Sequence, residues 1–281
     1  MSEELKKVDV LYSYIVKTDT GFAPNPFHGF CTLACCKPIM RRKIRDYIVE
    51  KYKKNYLELN GINRKPQKMI FSLANLKIEK GDDYKKFIES LNIWVVGLAG
   101  KDLKVKGAVY SILYAMKVTD VLTFSEYWNC PRFSTKKVDI KNDGEFGHNN
   151  DSIVNCGDNI YNMNEENDTD IQQKSFHRPS EKLESDNMKT DLSGECVLIS
   201  DKYVYFGNSA ETQIKPLIKG FDNSKRGHRI HSHNEKKDNA ISGINELIES
   251  FIVNNSVTIL GKNHVLGMPA QSEINIRKGK C

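Results

Sequence analysis

The side chains best suited to chemistry lie close together in residues 19–38, a stretch rich in proline and glycine. It offers a carboxylate, an amide, an imidazole and an ammonium group, on Asp19, Asn25, His28 and Lys37. An amide can read the edge of a base, and an aromatic ring such as Phe27 can stack on its face. These residues fit a ligand-binding loop. By composition alone they fit better a rigid turn in which asparagine caps the backbone and the phenylalanines belong to the core.

Three cysteines in the same stretch, Cys31, Cys35 and Cys36, raise the question of a metal or a nucleophile. Structural zinc sites usually combine two separated pairs of ligands, and no second closely spaced pair follows in the sequence. We therefore expect no metal site, and we expect Cys35 and Cys36 to be unbridged. A nucleophilic thiol activated by His28 remains open beside the simpler interpretation of buried structural thiols.

A basic segment follows the loop. Residues 37–68 contain eleven basic and three acidic residues, whereas residues 139–195 contain five basic and fourteen acidic ones. The apolar spacing within 39–53 predicts an amphipathic helix that carries Arg41, Arg42 and Arg45. Such a helix can bind a nucleic-acid backbone, or it can be the solvated face of a lysine-rich protein.

The hydrophobic pattern predicts the scaffold that holds these groups. Strands are predicted at 8–17, 68–78, 93–97, 108–118 and 196–206, and helices at 39–53, 83–91, 124–128 and 240–253. No glycine-rich phosphate loop joins a strand to a helix, which argues against a doubly wound sheet. We therefore expect an α+β fold with a mixed sheet or a small β-barrel and flanking helices.

Domain organisation and compartment follow from length and composition. The 281 residues suffice for a single domain over 1–281, with a polar and partly disordered insertion at 141–195 that has few apolar residues. No apolar run is long enough to span a membrane, and the first residues do not resemble a signal peptide. The odd number of cysteines, seven, favours free thiols. We expect a cytoplasmic protein without a membrane partner.

Longer motifs resemble those of the nucleotide modification associated domain family, the second of that name. The most specific one runs from Tyr12 to Pro38. Weaker segments follow in the same order, at 94–97, 114–118, 127–128, 157–161, 175–177, 197–201, 205–207 and 227–229. The resemblance implies an association with nucleotide or DNA-base modification in bacteria and phages. It implies no particular reaction, cofactor or protein partner.

On this basis we expect a pocket lined by the loop and by later motif residues. The candidate catalytic residues are Asp19, His177 and His228. The candidate nucleotide-binding residues are Asn25, Phe27, His28, Lys37, Ser200 and Asp201. The candidate contacts to a nucleic-acid backbone are Arg41, Arg42 and Arg45.

The function predicted from these residues is nucleotide- or nucleobase-directed, with a nucleotide or modified DNA as the partner. A base within a duplex would have to be flipped out to enter such a pocket. One alternative is a reader module that binds a modified base without chemistry. Another is a structural or interaction protein of a phage-like system. Whether the protein is an enzyme remains open.

Overall fold

The computed structural model describes residues 10–59, 72–101, 103, 105, 111–137, 157–166, 171–173, 181–209 and 228–232. The strands are β1 Val10–Val16, β2 Cys31–Leu33, β3 Ile93–Ala99, β4 Ile112–Lys117, β5 Asp120–Leu122, β6 Val197–Ser200, β7 Lys202–Tyr205 and β8 His228–Ser232. The α-helices are α1 Pro38–Leu59, α2 Leu73–Lys80, α3 Tyr84–Ser90, α4 Phe124–Asn129 and α5 Glu181–Leu192. Short 3₁₀ helices lie at Gly81–Asp83, Pro131–Lys136 and Gly207–Ser209.

The strands form two sheets. The larger has five strands in the order β7-β4-β3-β1-β8, and the smaller has three in the order β2-β6-β5. Strands β1 and β3 are parallel, whereas the other neighbours in both sheets are antiparallel. The described strands do not close into a barrel. The expectation of an α+β fold with a mixed sheet and flanking helices is confirmed.

A bent ribbon joins the two sheets. Strands β4 and β7 pair in the larger sheet, with Tyr114 opposite Tyr205, and β5 and β6 pair in the smaller, with Asp120 opposite Ile199. The register stays constant between these two pairings. At the bend, the Thr119 N–H donates to the Ile199 carbonyl over 2.9 Å, and Thr119 Oγ1 accepts from the Asp201 N–H over 3.1 Å. The sheets therefore change direction without losing register.

Helix α1 packs through residues four positions apart. Met40, Ile44, Ile48 and Tyr52 are all buried in the core of the five-stranded sheet, as the helical period requires. A second core cluster lies around the three-stranded sheet and includes residues of α4 and α5. Helix α4 begins with a capping box, in which Thr123 and Glu126 exchange side-chain and backbone hydrogen bonds.

One predicted element is wrong. The segment 68–78 was expected to be a strand, but α2 occupies Leu73–Lys80. The Ser72 side chain accepts from the Asn75 N–H over 3.2 Å and so caps the first turn. Leu73 and Leu76 are buried three positions apart, which suits a helix face. The strand pattern of this short segment was therefore overridden by a local cap and by packing.

The polar segment 141–195 contributes to the core, which its composition did not predict. Ile160 and Tyr161 are buried in the second cluster, and Met188 on α5 packs there as well. The boundaries of the insertion remain a prediction. The predicted helix at 240–253 lies outside the described residues. Within the described ranges, no helix is long and apolar enough to cross a membrane.

We predict that Gly97→Ala destabilises the protein by about 1–3 kcal/mol, the usual cost of overpacking a core. Gly97 lies opposite Tyr114 in the sheet, and an added Cβ would lie 2.1 Å from Tyr114 Cε1 and 2.9 Å from Val16 Cγ2. Urea denaturation measures the change. The exposed substitution Ser134→Ala serves as the control, and equal stability of the two variants would contradict the packing described here.

Candidate functional site

The loop between β1 and α1 is a closed turn with a fixed backbone. The Asn25 and Thr32 backbones exchange two hydrogen bonds, each of 2.9 Å. Between them the chain turns through His28 and Gly29, at φ values of 61° and 80°. Both residues of this tip are exposed. A left-handed conformation is costly for most residues other than glycine, so the surrounding contacts hold His28 in place.

A buried lysine lies under this turn and binds it at three points. The Lys136 ammonium group donates to the Asn25 carbonyl over 3.0 Å, to Asn25 Oδ1 over 2.7 Å and to Thr32 Oγ1 over 2.9 Å. These bonds use all three hydrogens of the ammonium group. Lys136 has no solvent exposure. Burial lowers the pKa of Lys136 to about 8, although the charge of Asp158 opposes that shift.

Asp158 compensates the buried positive charge through Thr32. Its carboxylate accepts from Thr32 Oγ1 over 2.8 Å and from the Tyr127 hydroxyl over 2.7 Å. Burial, followed by the charge of Asp158, raises the pKa of Tyr127, so this hydroxyl stays a donor. The chain approaches Lys136 closely here, since a Cβ on Gly157 would lie 1.7 Å from the Lys136 carbonyl oxygen. The segment that begins at Gly157 therefore docks directly on the lysine.

Asp19 joins the loop to the five-stranded sheet. Its carboxylate accepts from the Tyr205 hydroxyl at 2.7 Å on both oxygens and from the Gly21 N–H at 3.3 Å. Burial, and then the Asp19 charge, raises the pKa of Tyr205. Beside this pair, the Tyr114 hydroxyl donates to the Tyr14 hydroxyl over 2.6 Å. The Asp19 side of the loop is therefore bound to buried tyrosines.

Two further loop residues have buried surroundings. Phe27 packs edge-on against Tyr205, with ring centroids 6.3 Å apart. The Tyr203 hydroxyl donates to the Pro26 carbonyl over 2.6 Å. Asn25 Oδ1 thus accepts from Lys136, and Phe27 packs in the core. This is the arrangement expected of a rigid turn. Reading of a base by Asn25 and Phe27 remains a prediction.

Lys37 and His28 are the most accessible of the cationic or titratable candidates in the loop. Lys37 is half-buried, with its ammonium nitrogen 4.8 Å from the centre of the Tyr14 ring and its backbone at a φ of 48°. His28 is exposed at the tip. Partial burial of the imidazole, followed by the charge of Lys136, lowers the pKa of His28. Both groups can reach a ligand at the loop surface.

Ser200 and Asp201 lie beside the strand that leaves the loop, since Cys31 pairs with Ser200. Ser200 is buried, and its hydroxyl donates to the Lys202 carbonyl over 2.8 Å. Asp201 is half-buried and accepts from Lys85 over 2.7 Å. Burial raises the pKa of Asp201, but the hydrogen bond and charge of Lys85, together with Thr119 and Lys202, outweigh burial and lower the pKa. Among the described residues, Asp201 Oδ1 has no hydrogen-bond partner.

Arg41 requires a correction, because it lies in the interior and not on the basic surface. Its guanidinium donates to the Cys36 carbonyl over 2.9 Å, to the Asp191 carbonyl over 2.5 Å and to the Cys196 carbonyl. The residue has no solvent exposure. An arginine enclosed in this way cannot contact a phosphate. Its role is to join the start of α1 to the end of α5 and the start of β6.

The other predicted backbone contacts are nearer the surface. Arg42 is half-buried. The Arg45 side chain is 20% exposed and forms ion pairs with Asp46 at 2.8 Å and with Glu195. The structure does not describe the side chains of the two predicted histidines. His177 lies outside the described residues, and of His228 the structure describes the backbone, which pairs with Tyr14. Convergence of Asp19 with these histidines remains a prediction.

Sequence reasoning missed the residues that hold the loop in place. Asp158 and Tyr14 lie within recognised motifs but were assigned no role. Lys136 lies in an ordinary polar stretch, where nothing distinguishes it from Lys137. In the described part of the chain, no group of three or more His, Cys, Asp or Glu side chains is placed to bind a metal. No disulfide joins any of the described cysteines, Cys31, Cys35, Cys36, Cys130 and Cys196.

We predict that Lys136→Met lowers the free energy of unfolding by roughly 3–5 kcal/mol, because it leaves the Asp158 charge buried without compensation. Hydrogen exchange should increase at the Asn25 and Thr32 amides, whose turn loses its anchor. The control Lys86→Met removes a lysine whose side chain is 83% exposed. Unchanged protection of the turn in Lys136→Met would rule out the anchoring role.

A pH prediction follows from the lowered pKa of Lys136. The unfolded chain binds its proton up to the ordinary value of 10.5, whereas the folded chain releases it at about 8. Between these values the unfolded state holds more protons, so the lysine's contribution to stability rises with pH. The free energy of unfolding of the wild type minus that of Lys136→Met should therefore increase between about pH 8 and pH 10.5. A fall in this difference across the window would show that the shift has the opposite sign.

Comparison with known proteins identifies the family of this sequence. The sequence model described as nucleotide modification associated domain 2 matches residues 8–86 and 88–262. These ranges include the loop, Lys136, Asp158 and the tyrosines of both sheets. No curated protein and no solved structure matches the chain. The chain belongs to the nucleotide modification associated domain 2 family.

Proposed function

We propose that the protein binds a nucleotide or nucleobase, free or within modified DNA, and acts in its modification. The observation that carries this proposal is the family match over residues 8–262, broken only at residue 87. The match covers the exposed tip of the loop and also the buried residues that hold it. Ligand-binding loops of this kind commonly lie on a rigid scaffold.

The accessible groups around the loop suit the parts of a nucleotide. A neutral His28, favoured by its lowered pKa, has one nitrogen that donates and one that accepts, as a base edge requires. Lys37 supplies a positive charge for a phosphate. The half-buried carboxylate of Asp201 is an acceptor for an amino or hydroxyl group of a ligand. Ser200 lies beside it.

The buried network supports this function by fixing the loop before a ligand arrives. Lys136 holds Asn25 and Thr32, while Tyr205 holds Asp19. A loop ordered in advance loses little entropy on binding, so more of the contact energy appears as affinity. Proton transfer by Asp19, His177 or His228 belongs to the same proposal, since these residues lie in the matched region.

A reader without catalysis is the second candidate, and the surroundings of Asp19 favour it. Both carboxylate oxygens accept from the Tyr205 hydroxyl, and the residue is 1% exposed. A general base must come within hydrogen-bonding distance of the proton that it removes. In the described conformation Asp19 instead positions the loop. Binding without turnover, and loss of binding in Tyr205→Phe, would support the reader.

Calorimetric titration with nucleoside monophosphates and triphosphates tests the binding proposal. We expect Lys37→Ala to weaken binding of the triphosphate more than binding of the nucleoside, because the lysine contacts phosphate. We expect His28→Asn, which retains a residue suited to the left-handed backbone, to change base preference. Lys17→Ala is the exposed control. Absence of binding by the wild type to nucleotides and to DNA would refute the proposal.

The basic face of α1 tests whether the ligand is a polymer. Arg42 and Lys43 remain candidates after the correction at Arg41, with Lys43 exposed and Arg42 half-buried. Binding of DNA should weaken steeply with salt, by a slope of about 0.9 per phosphate contacted. The double substitution Arg42→Ala with Lys43→Ala should weaken binding to all sequences about equally. DNA binding that the double variant leaves unchanged would exclude this face of α1 as the contact to the polymer.

A further inference from the structure

A 3₁₀ helix beside the loop tip carries an aromatic and cationic surface outside the predicted pocket. Phe30, two residues after His28, packs edge-on against Phe133, with ring centroids 5.1 Å apart. The Arg132 guanidinium carbon lies 5.0 Å from the centre of the Phe133 ring and 5.9 Å from that of Phe30. Phe133 is buried, whereas Phe30 is half-buried and the Arg132 side chain is 43% exposed.

A second pair of the same kind lies at the other end of this helix. The Lys137 ammonium nitrogen is 4.0 Å from the centre of the Trp128 ring, and both residues are half-buried. Two cation–aromatic pairs therefore lie near the two ends of the 3₁₀ segment Pro131–Lys136, whose backbone is kinked at Phe133.

The charge of this element is positive throughout. Residues 130–137 contain three basic and no acidic residues. Asp120 accepts from Arg132 Nη2 over 2.7 Å, but a guanidinium has five N–H donors and one carboxylate does not use them all. Lys136 is already committed beneath the loop. Arg132 and Lys137 thus remain as the cations that can meet a phosphate at this surface.

We propose that Phe30, Trp128, Arg132 and Lys137 form a binding surface for single-stranded nucleic acid. Phe30 and Trp128 provide ring surfaces for bases, and Arg132 and Lys137 contact phosphates. Proteins that bind single strands combine aromatic platforms with cations in this manner. The inference rests on the proposed function, which supplies the ligand class. It places the binding of the polymer on this surface and not on helix α1.

A single strand fits this surface better than a duplex. The faces of bases within a duplex are covered by their neighbours, so only unstacked bases can lie on Phe30 or Trp128. The Arg132 plane can itself stack on a base while its N–H groups contact phosphate. The loop tip with His28 adjoins this surface, so a strand bound here would pass next to the nucleotide site.

Fluorescence anisotropy with labelled oligothymidylate and with a duplex tests the proposal in the full chain. Stacking contributes about 1–3 kcal/mol per base, so Phe30→Leu and Trp128→Leu should each weaken single-strand binding by roughly 5-fold or more. Both substitutions keep an apolar side chain and remove the ring. Arg132→Gln should reduce the salt slope by about one phosphate. Lys17→Ala, at an exposed position just after β1, should leave the affinity unchanged.

Thermal melting checks that each variant is folded. Because Arg132→Gln breaks the contact with Asp120, Arg132→Lys serves as a second variant that retains the charge and loses the planar group. The inference is overturned if Phe30→Leu and Trp128→Leu leave the single-strand affinity unchanged. It is also overturned if they weaken duplex binding as much as single-strand binding. A wild type that binds mononucleotides but not oligothymidylate overturns the inference and leaves the proposed function intact. If the wild type binds neither mononucleotides, nor oligothymidylate, nor duplex DNA, both the inference and the proposed function are overturned.

Discussion

The ammonium group of Lys136 is the interaction on which the rest of the site depends. A buried charge is tolerated only where hydrogen bonds and an opposite charge compensate its loss of water. Asn25 and Thr32 supply the bonds, and Asp158 supplies the charge through the Thr32 hydroxyl. The loop, the 3₁₀ helix and the segment after Gly157 must therefore meet at one point, although they are far apart in sequence.

The loop has a second anchor in the larger sheet, and the two anchors explain its position. Asp19 binds Tyr205 on β7, while the bridge between Asn25 and Thr32 lies over Lys136. The bent ribbon of β4–β5 and β6–β7 keeps its register through Thr119, so the two sheets present their anchors in a fixed relation. The tip at His28 is left exposed on a rigid base, which is the arrangement a ligand-binding loop needs.

Local patterns in the sequence predicted much of the scaffold, and non-local contacts decided the rest. Strands β1, β3, β4 and β6, and helices α1, α3 and α4, follow hydrophobic periods that a short window reveals. Helix α2 was missed because its cap at Ser72 outweighed a strand-like composition. The loop was recognised by its residue types, but Arg41 and Lys136 look like ordinary surface cations. Only the distant carbonyls and carboxylates that surround them reveal their burial.

The central claim is that this rigid loop serves the modification of nucleotides or DNA bases. Mass spectrometry of nucleosides from cells with the gene, without it, and with the Lys136→Met allele tests that claim most directly. The account predicts at least one modified nucleoside whose abundance depends on the gene and shifts towards the deletion profile in the Lys136→Met cells. Identical nucleoside profiles in all three strains would contradict it.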